Sequence, residues 1–186
     1  MPVLISMLRG ANLARHNRMK MDALRALYES LKLQDVQTLL QSGNVIFRTE
    51  ERDLATLAKR IEKGMERRFG FHSDVILRTI SQLREVIAGN PFAGRRGIEP
   101  SKLLVVFLAA NPVPEARKKV LKLDIAPEEL QIAGLELYIY FPNGMARPKL
   151  SWSALERALN TSYTGRNWNT VTKMLALAET LEAALP

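Results

Sequence analysis

Two successive runs of β-α-β-β-α-β periodicity, each closed by one more helix, predict an α+β protein of two tandem ferredoxin-like halves, each followed by a helix. Three observations carry that expectation. Apolar runs of strand length alternate with amphipathic stripes of helical spacing, a Pro- and Gly-rich segment interrupts the chain near its middle, and the order of elements then restarts. The halves are expected at residues 1–90 and 101–186, joined by a linker at 91–100, with a long C-terminal helix ending the second. Residue identities do not repeat between them, so the duplication rests on element order alone.

In the first half, Val3–Leu8 is a short apolar run suited to a buried strand. Leu24, Leu27, Tyr28 and Leu31 follow at i, i+3, i+4 and i+7, one face of a helix. Val36–Gln41 and Val45–Arg48 flank a Ser42-Gly43 turn as a hairpin. A second stripe, Leu54, Leu57, Ala58, Ile61, Met65 and Phe69, stops at Gly70, and Val75–Thr79 is strand again. Thr79 to Gln82 offers cap residues for a short helix carrying Leu83, Val86 and Ile87.

Asn90 to Gly97 is the clearest linker. Beyond it, Leu103–Leu108 is strand, and Pro114 suits the first position of a helix ending near Leu123. Leu130–Ala133 and Leu135–Phe141 form a hairpin about Gly134. Ser153 and Glu156 have capping-box spacing at or near a helix start. Thr161–Arg166 is expected as a short last strand, and Val171, Met174, Leu175, Ala178 and Leu181 stripe the terminal helix.

Composition excludes several classes. Of the 186 residues, 47% are hydrophobic and 25% charged, ordinary for a globular protein and unlike a disordered one. The longest apolar run, Leu103 to Ala110, is too short to span a bilayer. With no cysteine there is no thiol nucleophile, disulfide or Cys-ligated zinc. No signal-peptide pattern precedes the first strand, and the expected location is cytoplasmic. Charge is the outlier. Residues 1–95 hold 16 basic and 10 acidic side chains, and residues 96–186 hold 11 and 9, so most of the net +8 lies in the first half. A cationic half points to anionic partners, a small molecule or a nucleic acid, against the plainer reading of a solvated surface.

Three polar knots stand at element boundaries, where unpaired backbone groups need partners or can hold a ligand. The first is Arg9-Gly10-Ala11-Asn12, with Asn17 downstream; the second is Gln41-Ser42-Gly43-Asn44; the third is Arg166-Asn167-Trp168-Asn169. As anion-binding groups the candidates are Arg9, Asn12, Asn17, Gln41, Ser42, Asn44, Arg166, Asn167 and Asn169. A guanidinium clamps a carboxylate or phosphate, amides add polar contacts, and a helix start attracts anions. The competing reading makes Arg9 half of an internal ion pair, the amides caps, and Trp168 a core residue. Ser42 has no partner base in the sequence pattern, since His16 and His72 are the only histidines. No metal-ligand spacing, Walker loop or dinucleotide fingerprint is present, so no metal site and no cofactor are expected. Within the first half, the Arg9 and Ser42 knots are expected at opposite ends of the sheet, and Arg166–Asn169 at the hairpin-turn end of its own half.

Taken together the knots resemble an uncharacterised bacterial family, domain of unknown function 1697, whose members carry blocks like "LLRGINVGG-x-NKIKM", "V-x-TYIQSGNVVF", "SKL" and "RNWNTV". Here these are Met7 to Asn12 with Asn17 and Met21, Val36 to Phe47, and Arg166 to Val171. The resemblance runs over essentially the whole chain. It implies two ferredoxin-like halves and no particular chemistry. Ala14-Arg15 replaces the family's paired glycines, against a phosphate-cradling loop there, and Pro148 replaces the Ser before Lys149-Leu150.

Two functions therefore compete, with a purely structural or interaction role as a third. One is a binding protein for an anionic ligand, nucleic acid included. Recognition of RNA on a sheet face needs exposed aromatics, and Tyr138 and Tyr140, alternating with Leu137, Ile139 and Phe141, are the candidates for a shared exposed face. The other is an enzyme acting on a small phosphorylated or carboxylated metabolite oriented by Arg9, Asn12 and Arg166, for which the sequence names no general base.

Overall fold

The computed structural model describes residues 1–11 and 19–184. Among these it holds two four-stranded antiparallel sheets and six helices, so the mixed α+β expectation of two halves holds. The first sheet has the order β2-β3-β1-β4, built from β1 (Val3–Leu8), β2 (Gln34–Leu39), β3 (Asn44–Arg48) and β4 (Val75–Thr79). The second has the order β6-β7-β5-β8, from β5 (Leu103–Leu108), β6 (Glu129–Ala133), β7 (Glu136–Tyr140) and β8 (Tyr163–Asn167).

By contacts the chain divides into Met1–Glu85 with Lys173–Pro186, and Val86–Thr172. The C-terminal helix α6 (Trp168–Ala183) thus contributes most of its length to the first unit. Ion pairs and a carbonyl contact tie it there. Arg84 donates to Glu179 at 2.8 Å and Glu182 at 3.2 Å, and Arg48 donates to the Leu181 carbonyl.

In the first unit, α1 (Met21–Ser30) and α2 (Leu54–Phe69) cover one face of the sheet. Leu24, Leu27 and Tyr28 of α1 and Leu57, Ile61 and Met65 of α2 are buried against Leu4, Leu8, Val45, Phe47, Val75 and Leu77. That is the alternate-residue face that strand geometry requires. Tyr28 brings a hydroxyl into this core and satisfies it on Ser6 at 2.7 Å; burial raises its pKa. The opposite face, Val3, Ile5, Met7, Ile46 and Ile76, is buried as well.

Local signals fix the helix ends. Asp53 caps α2, its Oδ1 accepting from the Ala55 and Thr56 amides at 3.0 and 3.1 Å, and Gly70 ends the helix at φ +75°. Before α3 (Ile80–Ala88), the Gln82 amide donates to Thr79 Oγ1 while the Thr79 amide donates to Gln82 Oε1, a reciprocal capping box. Pro114 opens α4 (Pro114–Leu121) as expected. The cap of α5 (Trp152–Leu159) is Ser151, two residues before the expected Ser153; its hydroxyl accepts from the Ala154 amide at 3.3 Å.

Strand β2 begins at Gln34, earlier than its apolar pattern indicates. A bulge between Gln34 and Gln37 puts Asp35 at φ +50°, and the Asp35 carboxylate accepts from Arg48 Nε at 2.8 Å. The apolar pattern could not show these residues as strand because they are polar and irregular.

Candidate functional site

The first two knots lie at the same end of the first sheet. Strands β1 and β3 are antiparallel, with Met7 opposite Asn44, so the exit of β1 meets the hairpin turn that starts β3. The Leu8 amide donates to the Gly43 carbonyl at 3.0 Å. A Cβ on Gly43 would stand 2.8 Å from Ala11 Cβ. This corrects the expectation of opposite ends. The helical crossover through α1 brings β2 back parallel to β1, so both strands leave the sheet at one end. The start of β4 shares that end, with Leu8 opposite Val75.

Each knot residue there has a definite place. Arg9 is bound to residues 73–74 through its backbone: its amide donates to the Asp74 carbonyl at 2.9 Å and its carbonyl accepts from Ser73 Oγ at 2.8 Å. Its guanidinium lies 3.6 Å from the Asp74 carboxylate, with both side chains about one-third exposed (32% each). Asn44 is fully buried, and its amide donates to the Leu39 carbonyl at 3.0 Å and to Ser42 Oγ at 2.9 Å, closing the turn. Gln41 is exposed and Ser42 half-buried. Leu40, beside them, is an exposed leucine at φ +60°. Asn12 and Asn17 lie outside the described residues.

The sequence pattern missed a cluster at this end. His72 Nδ1 lies 2.8 Å from Glu66 of α2, and Nε2 lies 2.9 Å from Asp74 before β4. Hydrogen bonds to Asp74 first and Glu66 second raise the imidazole pKa. Glu62, one turn earlier on α2, accepts from the Val75 amide at 3.0 Å. The i, i+4 spacing of Glu62 and Glu66 was the available signal, although their targets beyond Gly70 were not visible.

The third knot belongs to the second unit. Asn167 caps α6: its side-chain oxygen accepts from the Asn169 amide at 3.0 Å, and its NH2 donates to the Ser101 carbonyl at 2.8 Å. Asn169 is exposed and Trp168 half-buried. Arg166 is buried, donating to Thr164 Oγ1 and the Gly165 carbonyl, both at 2.8 Å; burial pushes its pKa down to about 10. In β8, Asn167 pairs opposite Leu104 at the start of β5, whereas the hairpin turn at Gly134 lies at the β5 exit. The expectation that this knot sits at the hairpin-turn end is therefore also corrected, because β8 runs antiparallel to β5.

Tyr138 and Tyr140 do not form an exposed face. Both are buried (1% and 6%), and their hydroxyls donate to the Val86 carbonyl at 2.7 Å and the Gly97 carbonyl at 3.0 Å. Alternation misled here, because tyrosine can be buried once its hydroxyl has an acceptor.

Helix α2 carries five basic side chains. Lys59, Lys63 and Arg67 fall at i, i+4 and i+8, and Arg60 and Arg68 flank Gly64 in the neighbouring row. All but the half-buried Arg60 are exposed. None has a carboxylate within salt-bridge distance among the described residues, whereas Arg9, Arg25, Arg48 and Arg84 each have one. The acids of α2 lie on its other flank, with Glu62 and Glu66 directed to the β4 side. Beside the basic row, Leu27, Ser30, Leu31, Gly64, Arg67 and Arg68 line an open groove of about 430 Å³ between α1 and α2. Among the described residues no group of three or more His, Asp or Glu is arranged to hold a metal ion, and no helix is long and apolar enough to cross a membrane.

Comparison with known proteins adds the relationship. A family model described as "Protein of unknown function (DUF1697)" matches residues 1–138, which takes in the first two knots and ends before Arg166. The solved structure of the conserved bacterial protein SP0830 from Streptococcus pneumoniae is similar, with a TM-score of 0.73 over 96% of this chain and 99% of that one at 18% identity. At that identity the likeness speaks for the fold alone. No curated protein matches the chain.

Proposed function

We propose, for a chain that belongs to the family described as Protein of unknown function (DUF1697), that it is a binding protein for an anionic ligand. The single observation carrying this reading is the row of basic side chains on α2, none within ion-pair distance of a carboxylate among the described residues, with Lys59 meeting Asp53 only at longer range. Cations in the last turn of a helix complement its dipole, which accounts for Arg67 and Arg68. It does not account for Lys59, Arg60 and Lys63, which stand in mid-helix. Arg9 is a second anion contact in this reading, at the end of the sheet where α2 gives way to β4. We read each half as ferredoxin-like, supported by the orders β2-β3-β1-β4 and β6-β7-β5-β8 with every neighbouring pair antiparallel. Catalysis on a small metabolite has weaker support, because His72, which shares Asp74 with Arg9, has both ring nitrogens engaged by carboxylates.

Calorimetric titration with inorganic polyphosphate tests the reading. Binding is expected at low salt, falling steeply as salt rises, and it should be greatly weakened in the combined variant Lys59→Ala, Lys63→Ala, Arg67→Ala. Absence of binding at low salt, or parental binding by that variant, would refute it.

A further inference from the structure

We infer that the ligand of the α2 face is single-stranded nucleic acid, its phosphates along the basic row and one base in the groove between α1 and α2. This rests on the anion-binding reading and narrows it. Shape decides first against a compact anion. From Lys59 to Arg67 is eight residues, and at the helical rise this extends over about 12 Å. One phosphate or carboxylate cannot meet both ends of such a row; a chain of regularly repeated charges can. The groove decides second. It lies directly beside the charges, and its lining combines Leu27, Leu31 and Gly64 with the guanidiniums of Arg67 and Arg68. A flat, partly apolar group adjoining a phosphate suits that lining, since bases pack on apolar surface and stack on guanidinium planes.

Gly64 is what opens this place. A Cβ there would sit 3.0 Å from Leu27 Cδ1 and 3.5 Å from Leu31 Cδ1, so the absent side chain allows α1 and α2 to approach closely and keeps a side chain out of the groove lining. A duplex keeps its bases stacked and paired and could present only its backbone to the row, so the groove selects an unpaired strand. Among the described strand aromatics Phe47, Phe107, Tyr138 and Tyr140 are buried, and the half-buried Tyr163 is packed against the core of the second unit.

Fluorescence anisotropy with four labelled probes tests this: a 12-nucleotide random RNA, an abasic sugar-phosphate chain of the same length, inorganic polyphosphate, and a 12-residue poly-glutamate. RNA is expected to bind about ten-fold tighter than the abasic chain, the worth of one stacked base. Arg68→Lys, which keeps the charge and removes the guanidinium plane, should bring RNA down to the abasic level and leave the abasic chain unaffected. Equal binding of RNA, abasic chain and polyphosphate would overturn the nucleic-acid inference and leave the anion reading standing. Poly-glutamate binding as tightly as RNA would overturn it in favour of an acidic protein partner. If no probe binds, both readings fall.

Discussion

Replacing Gly43 by alanine tests the close packing of the first two polar knots. Gly43 has φ +72°, in the left-handed region, where an L side chain costs about 1–2 kcal/mol. Its new Cβ would stand 2.8 Å from Ala11 Cβ, 3.0 Å from Leu8 Cβ and 3.1 Å from Leu8 Cδ1. Two of these atoms are Cβ atoms, held by the backbone, and no rotamer change moves them away. The turn must shift against β1, an overpacking cost of about 1–3 kcal/mol. The combined loss is about 2–5 kcal/mol.

Gly10 supplies the control. Its φ is +69°, yet among the described residues nothing lies within 4 Å of the Cβ position, so Gly10→Ala should cost only the backbone part, about 1–2 kcal/mol. Urea melts of both variants beside the parent measure the difference. With a slope of about 2 kcal/mol per molar, the contact term lowers the Gly43→Ala midpoint by about 0.5–1.5 M relative to Gly10→Ala. Ala11→Gly in the Gly43→Ala background removes the nearest clash and should recover part of the loss as a coupling between the sites. Coincident midpoints for the two single variants, or no coupling with Ala11→Gly, would refute the packing argument.

Three further outcomes follow from particular contacts. Asp74 and Glu66 raise the His72 pKa, so the stability this histidine contributes is fully present below the ordinary imidazole pKa and is lost as pH rises through the raised folded-state value; His72→Gln should flatten the fall in melting temperature between pH 5.5 and 8.5. Arg48 is buried, ion-paired to Asp35 and bonded to the Leu181 carbonyl, so Arg48→Ala should destabilise the first unit by about 2–3 kcal/mol and speed amide exchange in the last turn of α6. Unchanged exchange there would show that the carbonyl contact does not hold the helix. Trypsin should cut after Arg96 before Arg95, because both are exposed but the Arg95 guanidinium is held by Glu129 through two contacts of 2.6 Å; mass spectrometry of the first fragments decides the order.

Periodicity disclosed most elements because burial follows it closely. The stripe Leu57, Ile61, Met65 lies in the core of the first unit, and the Thr79–Gln82 pair forms the capping box its spacing implies. Sheet ends were legible in principle too. A helical crossover returns the chain parallel to its starting strand, so β1 and β2 must exit together; the opposite-end expectation neglected that return. Other features depend on register that no local pattern encodes. Asp35 and Arg48 meet only because a bulge turns the acid toward the arginine, and His72 meets Glu66 only after Gly70 reverses the chain. The tyrosines of β7 show the same limit, since their burial depends on carbonyls of Val86 and Gly97, more than forty residues away.

The candidate cations were overlooked for a related reason. Boundary knots attract attention because Arg and Asn among glycines are locally unusual, yet such residues are also what strand and helix ends use to satisfy their own backbone groups. Asn44 and Asn167 both do so. The α2 row has no local oddity, since Lys and Arg are good helix formers on any exposed face. What distinguishes it is the fate of its neighbours. Glu62 and Glu66, the acids that would pair with these cations along the helix, are engaged by the Val75 amide and by His72 at the β4 side. The fold engages Glu62 and Glu66 elsewhere and leaves the cations of α2 outside ion-pair distance of a carboxylate among the described residues, so five positive charges of the first half stand along one helix. Restoring acids among them is the converse of deleting the cations: Lys63→Glu would place a carboxylate between Lys59 and Arg67 at i±4, where it should lower polyphosphate affinity more than Lys63→Ala does, by adding repulsion and by pairing with its neighbours.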